Sequence, residues 1–588
     1  MIFSKTDKWA YGVLTAAVLL VYANSFRGAF VFDDAEAIHR NPYVTNPASL
    51  EWLWRTPPAS TLGCRPVAQW TFAVNYAISG LDVAGYHAVN IAIHLAATIT
   101  LFLLLRLVLA DTRRGRCDAD GAWISAVLVA LWWAVHPLQT QAVTYICQRQ
   151  ESQASLLYLL AMLAVFKRNQ APSPRWAVLA AVCCWLGLAT KEIAFSIPLA
   201  AIALTWLQNG KGATFTKSNV RFFASLAAGW LLSAVLILGG DASMDEALGR
   251  SPHTPLGYLL SQAEIIPHYL RLVFDPRHQV FDYYGWPVPD VTTGLVLRVS
   301  LLAAGLAAGF VLLVRRNWAA LPLLLFYAVL APSSSFITLH NQAFEHRMYL
   351  PLACVLALAV TAGTMMLRHP VSQAKPGWAL ARRAALGILA VVVLWHAWLT
   401  HQRNEVYASP ERLWRDTAQK RPHNARAFMH LGESLLQRGA LAEGLEMLEH
   451  ALAVGYRPGL QSPAHHNLAM VYTDLGRLDK ALQHYGQAIA SDPHLGSAYV
   501  NRAVIHTQRK DFRLAAADQA KAIALLPADG VLRMQYAYSL SNLGRYAEAA
   551  AQLAEARRLG QVPPPKFARR IEAGRLQALK GKVTDDGR

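Results

Sequence analysis

Two adjacent carboxylates, Asp33 and Asp34, stand in the stretch VFDDAEAIHRNPYV, residues 31–44, directly after an apolar run, Trp9–Phe26. Glu36, His39 and Arg40 follow within a few positions. A carboxylate beside hydrocarbon is costly to keep, so its presence there marks a functional site. Partial desolvation raises a carboxyl pKa towards neutrality, which suits a catalytic base. One of the two aspartates is therefore expected to be that base. The bland alternative is an aspartate that caps a loop helix or pairs with Arg40.

The elements that must position this pair read as membrane helices. The chain has 588 residues, too many for one ordinary domain, and it divides by composition. From Trp9 to about Thr400 apolar runs dominate, and after His401 the sequence is an ordinary polar–apolar mixture with helical periodicity. A crossing needs roughly 20 apolar residues. Expected spans are Trp9–Phe26, Tyr86–Ala110, Ala122–Val135, Ala154–Phe166, Trp176–Ala189, Ile193–Leu207 and Phe222–Gly239. Further spans are expected at Gly294–Val314, Trp318–Ala331, Tyr349–Leu367 and Ala384–Thr400, about eleven in all. The first has no small-x-small cleavage site before the acidic stretch and reads as a retained anchor.

The loops give an orientation. With the N-terminus cytoplasmic, every inside connection is basic, as at Arg113–Arg116, Lys167–Arg175 and Arg315–Arg316. The opposite connections then hold the unusual residues. They carry the aspartate pair, Arg65-Pro66 ahead of an interfacial helix at Val67–Ser79, and HPLQTQAVTYICQRQES from His136. They also carry Lys191-Glu192, an amphipathic stretch at Leu256–Phe274, FDYYGWP from Phe281, and SSSFITLHNQAFEHRMYLP from Ser333. Charges at nearly every turn of one side imply a single outward-facing site.

The net charge of +18 is carried largely by membrane-flanking loops, and no basic stripe is interleaved with exposed aromatics, which argues against a nucleic-acid partner. The six cysteines show no metal-type spacing. Cys64 and Cys147 fall on the same predicted side, so a disulfide between them stays open.

The C-terminal part repeats with a period near 34 residues. Leu468–Pro493 carries Ala469, Tyr472, Gly476, Ala481, Tyr485, Ala488 and Pro493 at tetratricopeptide spacings, and neighbouring units align Gly432, Ala503 and Ala537. About four repeats are expected over 424–560, stacked as an α-solenoid with a groove for a protein or peptide. The fold class is thus all-α. Residues 1–400 form a polytopic membrane domain, 401–423 a linker, 424–560 the repeats and 561–588 a tail.

FVFDD, NPYV, RPVAQWTFAVNY, GYHAVNIAIHL, HPLQTQAV, TKEIAFSIPL and HRMYLP occur in the order seen in the transmembrane and TPR-containing O-mannosyltransferases. The chain resembles that family and its bacterial relatives within the GT-C superfamily of multi-span glycosyltransferases. The resemblance implies transfer of a sugar from a polyprenyl-phosphate carrier to Ser or Thr of a protein on the non-cytoplasmic face. It implies Asp33 or Asp34 as the base that activates the acceptor hydroxyl. Arg65, Arg149, Lys191 and Arg347 become candidates for the carrier phosphate. Glu192, Glu345, His346, His87 and His136 become candidates for donor binding beside them, with His94 a further histidine in reach. Tyr283, Tyr284 and Trp286 could pack on sugar or lipid, or form an interfacial aromatic belt. No cofactor is implied, and a divalent metal is not favoured. The expected partners are membrane lipid, the lipid-linked donor and a protein held by the repeats, in a bacterial inner membrane with the repeats periplasmic. One departure stands out. Gln141 follows His136-Pro137 where many relatives carry Glu, which leaves open a membrane-anchored scaffold that has lost catalysis; a transferase acting on a lipid or surface-glycan acceptor is a separate alternative.

Overall fold

The computed structural model describes residues 5–46, 62–63, 65–111, 119–238, 254–335, 337–339, 341–368, 378–455 and 461–585. The described residues are helical, with short 3-10 and π turns and no strand. The chain forms two compact units, Met1–Arg421 and Pro422–Arg588.

Each segment expected to span lies on a helix of the first unit. Among the described residues, five helical segments are long and apolar enough to cross a membrane: Asp7–Arg27, Val83–Leu109, Thr293–Val314, Glu345–Leu367 and Trp378–Val406. A sixth is a pair, Ala119–Ala134 and Pro137–Val143, bent by 57°. The helices at Pro174–Leu188, Ile197–Asn209 and Ala320–Leu330 have 15, 13 and 11 residues. At about 1.5 Å per residue these fall short of a roughly 30 Å hydrocarbon core. Among the described residues, length and composition alone thus mark five or six of the expected crossings. Two further expected spans lie on helices of 22 residues, Arg149–Gln170 and Lys217–Leu238. On Thr293–Val314, Leu297, Leu301, Phe310 and Val314 are exposed, as are Ile388, Val391 and Leu394 on Trp378–Val406. Such contiguous apolar surface suits lipid rather than water.

Helix starts follow local chemistry. Asp82 accepts from Ala84 N–H at 3.1 Å to open Val83–Leu109. Arg65 precedes a proline at the first position of Pro66–Ser79, close to the expected interfacial helix. Thr254 caps the amphipathic Pro255–Phe274 through Gly257 N–H.

Buried polar side chains tie the bundle together. His94 reaches the Tyr349 hydroxyl at 2.7 Å and the Ala134 carbonyl at 3.0 Å. Thr400 donates to the Val135 carbonyl, and Asn404 donates to Val21 O and Asn24 Oδ1. The last of these lies in the segment expected to be a linker. Residues 401–421 instead complete the helix Trp378–Val406 and form a second helix, Pro410–Lys420, within the first unit. Arg403 is buried against Asp416 at 2.5 Å, which ties the two helices of this segment together.

The second unit has the four expected helix pairs, from Ala425–Gln437 and Leu441–Val454 to Gly530–Asn542 and Tyr546–Arg558. Close approach within a pair explains the small residues. A Cβ on Gly432 would come within 2.8 Å of Leu448 and 3.0 Å of the Gly444 carbonyl. The turns of three repeats hold Gly439, Gly476 and Gly544 at positive φ, and Lys510 takes that position in the third at φ 62°. The expected tail is mostly a helix, Pro565–Asp585, whose buried Ile571 packs with Ala537, Leu540 and Leu553. It covers the apolar end that the fourth repeat would otherwise expose.

Candidate functional site

Asp34 lies in the turn between the first helix and a short π turn, Ala35–His39, and is fully buried. Its Oδ2 accepts from Val31 N–H at 2.8 Å, and its Oδ1 from Cys147 N–H at 2.7 Å. Burial pushes its carboxyl up to about 7, against the two backbone N–H bonds that favour the anion, and the Asp33 charge adds to the rise. Asp33 is half-buried, and its backbone N–H donates to the Tyr145 hydroxyl at 3.1 Å. The structure thereby separates the pair: Asp34 braces two strands of backbone, and Asp33 keeps a partly open side chain.

The residue before Asp33 is strained. Phe32 has φ 48°, a left-handed conformation that costs a bulky residue about 1–3 kcal/mol. Edge-on packing holds it there, with Trp414 at 5.5 Å and Phe281 at 5.9 Å between ring centroids. Trp414 belongs to the segment 401–421, so that segment supports the acidic turn directly.

A second cluster surrounds Lys191 and Glu192. Arg65 donates to Gln150 Oε1 at 2.6 Å and to Glu192 Oε2 at 2.9 Å. Lys191 lies 2.7 Å from Glu151 Oε2 and 3.3 Å from Gln148 Oε1. Burial would raise the Glu192 carboxyl, but Arg65 and Lys191, with Arg347 behind them, bring it down to about 2. Among the described residues, the cluster thus brings the cations Arg65 and Lys191 onto the carboxylates Glu192 and Glu151. His346 is buried in the same region, stacked on Phe344 at 5.0 Å, and its Nδ1 has no hydrogen-bond partner among the described residues.

The acidic turn and the cation cluster meet in one segment, Cys147–Glu151. Cys147 N–H holds Asp34, Gln148 and Glu151 hold Lys191, and Gln150 holds Arg65. Residues read from sequence as separate loops thus share a five-residue support. Of these five, sequence reasoning had singled out only Arg149 as a ligand. Gln148, Gln150 and Glu151 were missed, although the density of polar residues in QRQES at a helix start was a usable signal.

Arg149 itself takes a different job from the expected phosphate ligand. It is fully buried and donates to Asn90, Asn75 and the carbonyls of Thr71 and Tyr86, with its guanidinium 4.3 Å from the Phe72 ring centroid. With those partners it fastens three helices and has no free edge for an anion. Arg347 is similar. It donates to the carbonyls of Ser333, Gln342 and Asn341, so it shapes the loop and lends the cluster its charge. Glu345 accepts from Val280 N–H, Gln279 and Tyr283, which makes it a clasp for residues 279–283 rather than a donor ligand. His136 accepts from Leu138 N–H and reaches the Val273 carbonyl, a core role, and His94 is likewise saturated. His87 is buried beside Gly28, both its ring nitrogens without partners among the described residues. Tyr283 and Trp286 pack under the Arg421 guanidinium, at 5.1 and 5.0 Å.

Gln141 is a bridge. Its Nε2 donates to the Phe281 carbonyl at 2.7 Å, and its Oε1 accepts from His346 N–H at 2.8 Å. One partner needs a donor and the other an acceptor, so an amide fits where a carboxylate would leave the carbonyl unpaired. The amide links the two loops that carry the aromatics and His346.

An apolar groove of about 250 Å³ runs along one face of the helix Tyr349–Arg368. Leu350, Ala353, Cys354, Ala357, Thr361 and Met365 line it, so it begins three residues after Arg347. Among the described residues no group of three or more His, Cys, Asp or Glu has the geometry to hold a metal ion. Cys64 lies outside the described residues.

Together these features define an all-α protein with several membrane-length helices, a polar site at their loop ends and a tetratricopeptide domain. The tetratricopeptide repeat family model matches residues 424–493. Over most of its length the chain is similar to protein O-mannosyl-transferases. It is 24% identical over 568 residues to Protein O-mannosyl-transferase Tmtc3 of Drosophila melanogaster, covering 82% of this chain and 58% of the relative. It is 24% identical over 544 residues to Protein O-mannosyl-transferase TMTC3 of Homo sapiens, covering 84% and 56%. Over 171 residues it is 32% identical to human Protein O-mannosyl-transferase TMTC4, covering 27% of this chain and 23% of the relative. The chain is a TPR-containing homologue of these proteins and spans little more than half the length of the first two. Among solved structures it resembles MamA weakly, with 16% identity, a TM-score of 0.24, and coverage of 26% of this chain and 86% of that one.

Proposed function

We propose that the protein is a GT-C-type transferase that moves mannose from a polyprenyl-phosphate carrier to a Ser or Thr hydroxyl of a protein. The observation that carries this reading is the segment Cys147–Glu151, which joins the Asp33–Asp34 turn to the Arg65–Lys191 cluster. One end offers a base and the other two cations, Arg65 and Lys191.

In the proposed step the acceptor oxygen attacks C1 of the mannosyl phosphate while Asp33 takes the hydroxyl proton. The C1–O bond to phosphate breaks with inversion, and its electron pair leaves on the carrier phosphate. Arg65 and Lys191 stabilise that charge, Arg65 through a planar fork and Lys191 as a point charge. The proton then passes from Asp33 to solvent. The groove along Tyr349–Arg368 takes the carrier's apolar chain. From Leu350 to Met365 it spans about 22 Å at 1.5 Å per residue. The homology to O-mannosyl-transferases supports the sugar and the protein acceptor. The basic connections on the opposite side support a non-cytoplasmic site in a bacterial inner membrane, with the repeats holding the acceptor polypeptide.

Purified full-length protein in nanodiscs, given polyprenyl-phosphate mannose and a Ser/Thr peptide, should add one hexose to the peptide. A gain in mass on a glycan acceptor instead would move the reading to surface-polymer synthesis. No transfer to either acceptor by folded protein would refute it.

A further inference from the structure

At the end of the helical bundle away from the Arg65–Lys191 cluster, a cleft of about 550 Å³ opens between four helices. They are Val83–Leu109, Ala119–Ala134, Tyr349–Arg368 and Trp378–Val406. From Asn90, which holds Arg149, to Arg106 on the cleft wall the same helix runs about 24 Å at 1.5 Å per residue. Among the described residues the cleft shares no lining residue with the groove along Leu350–Met365. Aromatics mark this end as a membrane interface. Trp9 packs on Trp123 with ring centroids 5.9 Å apart, and Trp378 Nε1 donates to the Leu367 carbonyl at 3.1 Å. Tryptophans of this kind sit at headgroup level.

The wall carries both signs of charge. Arg106 and Arg382 bring guanidinium groups, and Asp120 brings a carboxylate. Asp7, fully buried, lies 2.5 Å from Arg106, so part of that charge is already answered. Arg382 and Asp120 are exposed, and among the described residues neither makes an ion pair. Trp123 Nε1 is buried without a hydrogen-bond partner among the described residues, a donor that lacks its acceptor. Ala110, Ile124, Leu367 and Leu386 supply apolar surface. An anion alone would meet repulsion from Asp120, and a cation alone would meet two arginines. A phosphate and a primary ammonium on one molecule match the whole set. The phosphate oxygens accept from the guanidinium groups and the indole N–H, and the ammonium donates to Asp120. A quaternary ammonium has no N–H to give that carboxylate.

We infer that this cleft binds the headgroup of a zwitterionic aminophospholipid of the phosphatidylethanolamine class, from the leaflet opposite the Arg65–Lys191 cluster. The site is separate from the transfer reaction and is tested without any sugar donor. The full chain, purified in detergent and stripped of lipid, is titrated with phosphatidylethanolamine, phosphatidylglycerol and phosphatidylcholine of one acyl composition. Soluble phosphoethanolamine is the fourth probe, and bound copies are counted by native mass spectrometry. Phosphatidylethanolamine should bind at least about tenfold tighter than the other three. Arg382→Gln should weaken it about tenfold, and Asp120→Asn should bring it down to the level of phosphatidylcholine. Both side chains are exposed, so both variants should fold. Trp123→Phe keeps a ring beside Trp9, removes only the donor, and should weaken binding several-fold. Equal binding of the three lipids, tighter binding of phosphatidylglycerol, or soluble phosphoethanolamine binding as tightly as the lipid would overturn the inference. So would unchanged binding by Arg382→Gln and Asp120→Asn, or absence of phosphatidylethanolamine binding by the folded parent.

Discussion

Substituting the two adjacent aspartates one at a time should produce different failures. Asp34 accepts from two backbone N–H groups, those of Val31 and Cys147, and it is fully buried. Asp34→Ala would orphan both. At about 1–3 kcal/mol for each buried group left unpaired, the loss is roughly 2 to 6 kcal/mol. Against a usual total of about 5–15 kcal/mol that is enough to unfold the loop or the protein. Asp34→Asn keeps one acceptor and turns an NH2 towards the second N–H, so its cost should sit near the lower end. Asp33→Asn leaves both Asp34 bonds in place, and the Asp33 bond to Tyr145 is made by its backbone N–H. Its melting temperature should stay near that of the parent while transfer falls about 10²–10⁴-fold, the usual worth of a general base. The assays are thermal unfolding in nanodiscs and hexose transfer to peptide under donor saturation. If Asp33→Asn retains activity within a few-fold while folded Asp34→Asn is inactive, the assignment of the base to Asp33 is wrong.

The raised carboxyl of Asp34 also predicts a pH dependence. A folded pKa of about 7, above the ordinary carboxylate value, means that its protonated form is favoured by folding. This stabilising contribution is present below the unfolded value and disappears as pH rises through about 7, whereas transfer should rise over the same range because the ionised form holds both backbone N–H groups. Asp34→Asn should flatten that limb in a pH–rate profile. Arg65→Lys should raise the KM for the lipid-linked donor more than it lowers kcat, because one ammonium cannot hold Gln150, Glu192 and a phosphate in a planar fork. An unchanged donor KM in Arg65→Ala would remove Arg65 from the phosphate site. Gln141→Glu should lower thermal stability by roughly 1–3 kcal/mol, because the Phe281 carbonyl loses its donor. A neutral effect in unfolding experiments would contradict the bridging role.

Several features could be read without a structure because they are local. Apolar runs, N-cap residues and prolines at first helical positions located the helices. The 34-residue recurrence of small residues located the repeats, since helices can cross closely only where a Cβ would otherwise intrude, as at Gly432. The acidic pair drew attention because charge beside hydrocarbon is expensive. Helix length proved harder to judge. Hydropathy marks apolar segments but does not reveal that Ala320–Leu330 stops after 11 residues.

Tertiary structure decided the rest, because buried polar groups choose partners far away in sequence. Asp34 finds Cys147 and Arg65 finds Glu192, pairs separated by 113 and 127 positions. No periodicity or spacing encodes those choices. They follow from which backbone donors and carboxylates the bundle leaves unpaired in each other's reach. The same accounting distinguishes Asp33 from Asp34 and turns Arg149 from an expected ligand into a fastener. It also draws residues 401–421, polar enough to read as a linker, into the support of the acidic turn. Sequence determined that this chain has membrane-length helices, a repeat domain and an acidic pair just after the first apolar run. Only the folded arrangement, by satisfying most of its buried hydrogen-bonding groups, joined the Asp33–Asp34 turn to the Arg65–Lys191 cluster through Cys147–Glu151.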